Sequence, residues 1–438
     1  MGPWALNLLK QTLRNKVLMA EIFIVAVAIY GYAMVSERSA MSPITAPMVF
    51  TTIGLVFGTG ALDWFNLDLE GESVAILVEA TLVLVLFTDA VRIDLRALRR
   101  EFSIPARLLG ISLPLTIVAG TALAVVLFPD LSLAEAALLA AVLAPTDAAL
   151  GQAVVSDKRL PVRVRQSLNV ESGLNDGIVV PIVTVLIAIA AAEAGATSNA
   201  GWGVFVARQI GFGMLSGVAI GAGGAWLLHR QASRHEIEGV YRQLATIAIA
   251  AAAFSAAALL DGNGFIAAFV AGLAFGHFAQ DECRDVADFT EDEGELLTSI
   301  TFITFGAVLI GPRLDELSWE IALYAVASLT VVRMVPTLLS MIGTGSYLET
   351  RLFAGWFGPR GLASILFALI VLEGNHTDAT EQIFTVAMWT VLLSVFAHGL
   401  TASSWAGRLA RRLREGPEDV PELTPMEEMP TRRQLGGE

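Results

Sequence analysis

One short polar motif, Leu143-Ala-Pro-Thr-Asp-Ala-Ala-Leu150, interrupts an apolar run in the first half of the chain. Pro145 has no backbone N–H and clashes with the preceding turn, so it predicts a broken helix. A break inside a membrane frees backbone carbonyls and opposes two half-helix ends, which is how ion sites form near the midplane. Thr146 and Asp147 lie directly on this break. The alternative is a packing kink whose Asp147 faces a loop.

A second polar cluster, Asn169-Val-Glu-Ser-Gly-Leu-Asn-Asp-Gly177, opens the next apolar run. Glu171 and Asn175 are four residues apart, as are Ser172 and Asp176, so a helix places them on two neighbouring stripes of one face. Hard cations prefer oxygen ligands, and we extend this preference to Na⁺ and K⁺. The two clusters therefore predict one monovalent-cation site. The alternative for the second cluster is an N-terminal cap at the membrane surface.

The composition places the whole chain in a membrane. Of its 438 residues 55% are hydrophobic and only 16% are charged, whereas soluble domains carry about 25% charged residues. This deficit excludes a soluble enzyme and a disordered protein. A net charge of −14 argues against a nucleic-acid partner. The single cysteine, Cys283, excludes a disulfide framework and a cysteine-based metal cluster, and we expect no cofactor.

Apolar runs of about 20 residues predict a polytopic all-α membrane protein with thirteen transmembrane helices. The predicted spans are 17–35, 43–60, 73–91, 104–128, 133–153, 167–191, 203–228, 240–259, 264–278, 290–310, 319–341, 351–371 and 382–403. Most of the 28 lysines and arginines fall in one alternate set of connections. This bias predicts an N-terminus outside and a C-terminus in the cytoplasm, although Lys10, Arg14 and Lys16 oppose it. Residues 411–438 are rich in Pro and Glu and predict a short disordered cytoplasmic tail.

Two arginines fall inside late spans. Arg360 lies in Gly358-Pro-Arg-Gly361, which predicts a second helix break. Two broken helices in the two halves of a chain indicate an inverted-repeat transporter. A buried guanidinium needs an anion, and Glu171 is the expected partner of Arg360. Snorkelling to the interface is the alternative for Arg360, and for Arg333 a structural role and snorkelling remain equally open.

The third and seventh spans carry weaker signals. Glu79 and Asp89 lie in the third span. Asp89 is near its predicted cytoplasmic end, where it faces either the site or water. Gly213, Gly217 and Gly221 in the seventh span have the small-xxx-small spacing that predicts close helix packing.

These motifs resemble those of the monovalent cation:proton antiporters, specifically the sodium/proton exchanger branch with an Asn-Asp pair. The resemblance is carried by Ala144-Pro-Thr-Asp147, Glu171-Ser-Gly-Leu-Asn-Asp176, Gly358-Pro-Arg-Gly361, Arg333-Met-Val-Pro336 and Leu86-Phe-Thr-Asp-Ala-Val-Arg-Ile-Asp-Leu95. The sequence departs from the family pattern at Thr88, where Glu is common, and at Ala148, where many relatives have Pro.

The resemblance implies the sodium/proton antiporter fold, with inverted repeats and two crossing discontinuous helices. It implies a homodimer in the lipid of the cell (inner) membrane, in which a transport core moves like an elevator against a dimerisation part. The implied division of a membrane domain at 1–410 is a core at about 104–191 and 319–403, a dimerisation part at about 17–91 and 240–310, and a linker helix at 203–228.

The resemblance also assigns the site. Asp176 would carry the cation and the proton, with Asp147, Ser172 and the Thr146 carbonyl as further ligands and Asp89 as a substitute third-span ligand. A polar brace behind the site would contain Glu171, Asn175, Arg360 and Arg333.

The implied function is exchange of a monovalent cation, Na⁺ first, for H⁺. One titrating carboxylate predicts electroneutral one-for-one exchange, and Asn175 fits this because the electrogenic branch has a second Asp there. The alternative is a K⁺-preferring antiporter or a K⁺ efflux system. The sequence has no GxSxG or HExxH motif, so we expect no enzyme. A non-transporting membrane sensor is a further alternative.

Overall fold

The computed structural model describes residues 19–37, 42–64, 72–93, 103–193, 202–234, 237–278, 283–374, 378–417 and 420–424. In these ranges the regular elements are helices. In chain order they are α1 Met19–Ala33, α2 Ala46–Phe57, α3 Glu72–Val91, α4 Ser103–Leu127, α5 Leu133–Val142, α6 Ala148–Val155, α7 Val162–Glu193, α8 Trp202–Ser233, α9 Gly239–Leu259, α10 Gly264–Phe278, α11 Cys283–Thr304, α12 Trp319–Leu329, α13 Val331–Ser340, α14 Leu348–Trp356, α15 Leu362–Gly374 and α16 Asp378–Arg414.

Every predicted span coincides with helical structure where the chain is described. By length and composition, seven helical stretches in the described residues could cross a membrane, and shorter apolar helices include α1, α2, α5, α10 and α15. The all-helical polytopic class is therefore confirmed. The start of the first span, at 17–18, lies outside the described residues.

Both predicted helix breaks are present. The fifth span consists of α5 and α6, which are separated at residues 143–147. The twelfth consists of α14 and α15, which are separated at residues 357–361. A capping box starts α5, because the Ser132 side chain accepts from Glu135 N–H while the Glu135 carboxylate accepts from Ser132 N–H.

Further irregularities were not predicted. Leu108–Ser112 within α4 and Phe305–Ile310 after α11 form π-helical turns, and Gly311–Glu316 forms a 3₁₀ turn. The eleventh span is divided at Thr330, whose φ of −106° and ψ of −92° are not helical. Apolar patterning does not report such changes of hydrogen-bond register.

The tightest packing joins the helices into two groups, which also contact each other where α7 meets α3 and α8. α4 packs on α5, α7 packs on α5 and α6, and α16 packs on α12, α15 and α6. In the other group, α10 packs on α3, α8 and α9, and α11 packs on α2 and α3. The named division into core, dimerisation part and linker stays a prediction.

The glycine spacing in α8 has the expected consequence. A Cβ atom built at Gly213 would lie 2.8 Å from the Asn263 carbonyl oxygen, and one at Gly217 would lie 2.6 Å from that of Ala267. One at Gly221 would overlap the backbone of Ala271. The backbones of α8 and α10 are therefore in direct contact, and the prediction of close packing is confirmed.

The prediction of a disordered tail at 411–438 is wrong for its first part. Helix α16 continues to Arg414, and Pro421–Leu423 forms a 3₁₀ turn. Glu422 is only 3% exposed, and its Oε1 accepts a hydrogen bond from the Tyr347 backbone N–H at 2.8 Å. Arg163 Nη1 donates to the Pro421 carbonyl at 2.8 Å. Residues 425–438 lie outside the described residues.

Candidate functional site

The two helix breaks meet each other. The backbone N–H of Asp147 donates to the carbonyl oxygen of Pro359 at 2.8 Å. Nη1 of the fully buried Arg360 donates to the carbonyl oxygens of Ala144 at 2.6 Å and Pro145 at 3.0 Å. These carbonyls belong to the first break, so a side chain from the second break supplies the donors that a continuous helix would have provided. The predicted crossing of two discontinuous helices is confirmed.

Asp147 caps two helices at this crossing. Its Oδ1 accepts hydrogen bonds from the N–H groups of Ala149 at 2.7 Å and Leu150 at 3.2 Å, in the first turn of α6. Its Oδ2 accepts from the N–H of Leu362, the first residue of α15, at 2.6 Å. A helix N-terminus favours a negative charge. One carboxylate therefore satisfies two half-helix ends, and this structural role exists beside the predicted role of Asp147 as a cation ligand.

Gly361 is required for this double cap, and we predict that Gly361→Ala destabilises the protein. A Cβ atom at Gly361 would overlap Oδ2 of Asp147, so the carboxylate would leave the Leu362 N–H. Loss of one helix cap costs about 1 kcal/mol, and we expect a lower apparent Tm in detergent. The matched control is Gly151→Ala in α6, where a Cβ meets no atom within 4 Å and Ala favours a helix. Equal apparent Tm values for the two variants would contradict this role of Gly361.

The predicted face of α7 meets the first break at Thr146. The Thr146 and Ser172 hydroxyls are 3.0 Å apart, and Asn175 Nδ2 donates to Thr146 Oγ1 at 2.6 Å. Asp176 is only 6% exposed and follows Ser172 by one helical turn. The surface-cap alternative for this cluster is thus excluded. The structure brings together Thr146, Ser172 and Asn175 as expected, whereas the cation-binding and proton-carrying roles stay predictions.

The predicted ion pair between Arg360 and Glu171 is wrong. Glu171 Oε1 is paired instead with Arg333 Nη1 at 2.6 Å, and both side chains are buried. Arg360 binds the carbonyl oxygens of Ala144 and Pro145 instead. These oxygens are available because the first break leaves them without the N–H donors of a continuous helix. Neither arginine snorkels, since Arg360 is 0% and Arg333 1% exposed. The sequence contains two buried arginines that could pair with Glu171. Which of them forms the ion pair depends on how α13 packs, and this cannot be read from the sequence.

Asp89 lies beside the first turn of α6 and beside residues 169–173 of α7. It is half-buried and lines a cavity of about 10 Å³ together with Arg92, Ile93, Ala148, Asn169, Val170 and Gly173. Such a volume has room for about one water molecule. Asp89 therefore lies near the site and not on an open surface, while its role as a ligand stays a prediction. Glu79, ten residues earlier in α3, is also half-buried.

The sequence analysis missed Ser394 and His398 on α16. Both are buried, at 0% and 1% exposure, and Ser394 Oγ accepts a hydrogen bond from the Arg360 backbone N–H at 2.6 Å. The signal was present as two polar residues four apart in an apolar helix.

A family model described as "sodium/hydrogen exchanger, transmembrane" matches residues 22–406. The chain is 26% identical over 372 residues to the K⁺/H⁺ antiporter NhaP of Alkalimonas amylolytica, covering 83% of this chain and 62% of that protein. It is 26% identical over 400 residues to the Na⁺/H⁺ antiporter 2 of Zygosaccharomyces rouxii, covering 80% and 48%. The chain thus spans less than two thirds of the length of these relatives.

A solved structure has the same fold. The chain is similar to the sodium proton antiporter MjNhaP1 of Methanocaldococcus jannaschii, with a TM-score of 0.72 and 20% identity, over 91% of this chain and 100% of that one. At this level of identity the similarity concerns the fold alone.

Proposed function

Because the chain belongs to the sodium/hydrogen exchanger family, we propose that this multi-pass membrane protein exchanges a monovalent cation for a proton by secondary active transport. Asp176 carries the cation and the proton in turn. The Thr146 carbonyl, Asp147 and Ser172 complete the oxygen ligands, and Asp89 contributes from α3.

The balance of buried charge is the observation that carries this proposal. The buried charged side chains around the crossing are Arg333, Arg360, Asp147, Glu171 and Asp176. With all five ionised their formal charges sum to −1, and Asp89 leaves this sum unchanged when it is counted together with Arg92, which lines the same cavity. A proton on Asp176 brings the sum to zero, and so does one bound monovalent cation. An uncompensated buried charge is costly, so only the two loaded forms cross the membrane readily.

The charge balance supports electroneutral exchange of one cation for one proton. Both loaded forms carry the same charge, so a transport cycle moves no net charge. Asn175 has an amide in place of a carboxylate, so it adds no second titrating group beside Asp176, and this amide donates to Thr146. Glu171 is occupied by Arg333 at 2.6 Å.

We propose Na⁺ as the transported cation, with a K⁺-preferring antiporter or a K⁺ efflux system as the second candidate. The bacterial relatives are named as K⁺/H⁺ antiporters, which favours the second candidate. The yeast relative and the archaeal structure are named for sodium, and the oxygen-only ligand set suits either ion.

The architecture of transport is also proposed. The joined breaks support movement of the core as one body in an elevator mechanism. The distribution of basic residues supports an N-terminus outside and a C-terminus in the cytoplasm of the cell membrane. A homodimer follows from the resemblance of the motifs.

The test is proton flux in proteoliposomes that contain a pH-sensitive dye. We expect addition of Na⁺ to drive proton movement, and an imposed membrane potential to leave the rate of exchange unchanged. Addition of K⁺ and Li⁺ in turn identifies the cation. Net cation uptake driven by the potential alone would refute one-for-one exchange. Absence of proton flux with every monovalent cation would refute exchange itself.

A further inference from the structure

Behind the second break, α16 presents two buried polar side chains that the proposed ion ligands do not include. Ser394 and His398 lie one helical turn apart, and the whole pair is buried. The second break passes directly over them. Arg360 N–H donates to Ser394 Oγ at 2.6 Å, and His398 Nε2 lies 2.9 Å from the carbonyl oxygen of Trp356, the last residue of α14.

Both ring nitrogens of His398 lie near a backbone carbonyl oxygen, which can only accept a hydrogen bond. We assign the proton of the neutral ring to Nε2, whose contact with the Trp356 carbonyl at 2.9 Å is the shorter of the two. In the neutral ring Nδ1 is then an acceptor. It takes the hydroxyl proton of Ser394, 3.1 Å away, while the Ser394 oxygen accepts from Arg360. Nδ1 also lies 3.0 Å from the Ser394 carbonyl, a contact that the neutral ring does not use as a hydrogen bond.

These bonds fix both ends of the break. Trp356 ends α14 and Arg360 lies two residues before the start of α15, so the pair holds the five residues between the helices close to both of their ends. The same five residues bind the first break through Pro359 and Asp147 at 2.8 Å. The Arg360 guanidinium binds the Ala144 carbonyl at 2.6 Å.

We propose that Ser394 and His398 are positioning residues for the cation site, which act by holding the second break against the first. This inference rests on the proposed function. Neither side chain contacts the cation. Ser394 acts through Arg360, and His398 acts through Trp356 and through Ser394. These bonds hold Pro359 and Arg360, which set the position of Asp147 and of the Thr146 carbonyl. Loss of either hydrogen bond therefore weakens cation binding and leaves the transport step intact.

The test is the apparent KM for the driving cation in proteoliposomes. We expect Ser394→Ala and His398→Leu each to raise it about tenfold, the equivalent of one buried hydrogen bond, with little change in maximal rate. Ser394→Thr keeps the hydroxyl, and His398→Gln keeps a donor for the Trp356 carbonyl. Both conservative variants should restore an apparent KM close to that of the unmodified protein.

Thr401→Val is the matched control. Thr401 lies one turn further along α16 and accepts a hydrogen bond from the side-chain Nε1 of Trp356 at 2.9 Å. Its loss affects the packing of the indole ring and leaves the backbone carbonyl of Trp356 bonded to His398. We expect a lower apparent Tm and an unchanged KM. An unchanged KM in Ser394→Ala would overturn the inference, even if His398→Leu fails to fold. Absence of flux in the unmodified protein would instead refute the proposed function.

Discussion

Asp176→Asn is expected to abolish cation-dependent proton flux and to leave the protein folded. Asparagine has nearly the same shape as aspartate, so the packing of α7 is preserved. Asparagine has no titrating oxygen, so the buried charges sum to zero when the site is empty. Neither a proton nor a cation is then needed for the site to move across the membrane. The measurement is dye-reported proton flux in proteoliposomes, together with the apparent Tm in detergent.

The matched control for this prediction is Asp261→Asn. Asp261 forms an exposed ion pair with Arg208 at 2.7 Å, and exposed pairs contribute little to stability. Its backbone φ of 56° is one that asparagine also adopts. We expect normal flux from this variant. Cation-dependent flux that survives in Asp176→Asn would exclude Asp176 as the carrier.

Arg333→Met is expected to give the largest loss of stability. It leaves the carboxylate of Glu171 buried without its partner at 2.6 Å, and breaking a buried pair in this way costs about 3–5 kcal/mol. Thermal unfolding in detergent measures the effect. The double variant Glu171→Gln/Arg333→Met removes both charges, and replacing a whole buried pair is often close to neutral. We therefore expect it to recover much of the lost apparent Tm.

Arg208→Met is the control for the arginine substitution. It removes a guanidinium from an exposed pair, so its effect should lie within about 0.5 kcal/mol of zero. An apparent Tm of Arg333→Met equal to that of the Arg208 variant would show that the buried pair does not stabilise the fold. If Glu171→Gln/Arg333→Met were no more stable than Arg333→Met alone, this would also show that the buried pair does not stabilise the fold.

The sequence predicted the parts of the site that depend on local chemistry. Pro145 removes a helical donor wherever it lies in an apolar run, and the Gly358-Pro-Arg-Gly361 motif does the same in the second half. Spacing of four residues placed Ser172 and Asp176 on one stripe without any tertiary information. The breaks and the α7 face were therefore correct.

The remaining parts depend on which helices come into contact. Two arginines competed for Glu171, and the choice of Arg333 follows from the path of α13 after the irregular residue Thr330. The turn at Pro421–Leu423 has the composition of a disordered tail, yet Glu422 finds a free backbone N–H at Tyr347. The composition of a segment predicts whether the segment as a whole is exposed to water. It does not predict that one side chain, here the Glu422 carboxylate, is buried against a backbone N–H. Ser394 has no motif of its own, because its partner is the main chain of Arg360.

The double cap at Asp147 has a mechanical consequence. One carboxylate binds the first turn of α6 and the first residue of α15, so sliding one break past the other would strip a helix end of its acceptor. An exposed N–H group in a dry interior has no water to replace that acceptor. The two breaks therefore form one rigid unit. A movement large enough to change which side of the membrane this unit faces requires it to shift as a whole against the helices that surround it.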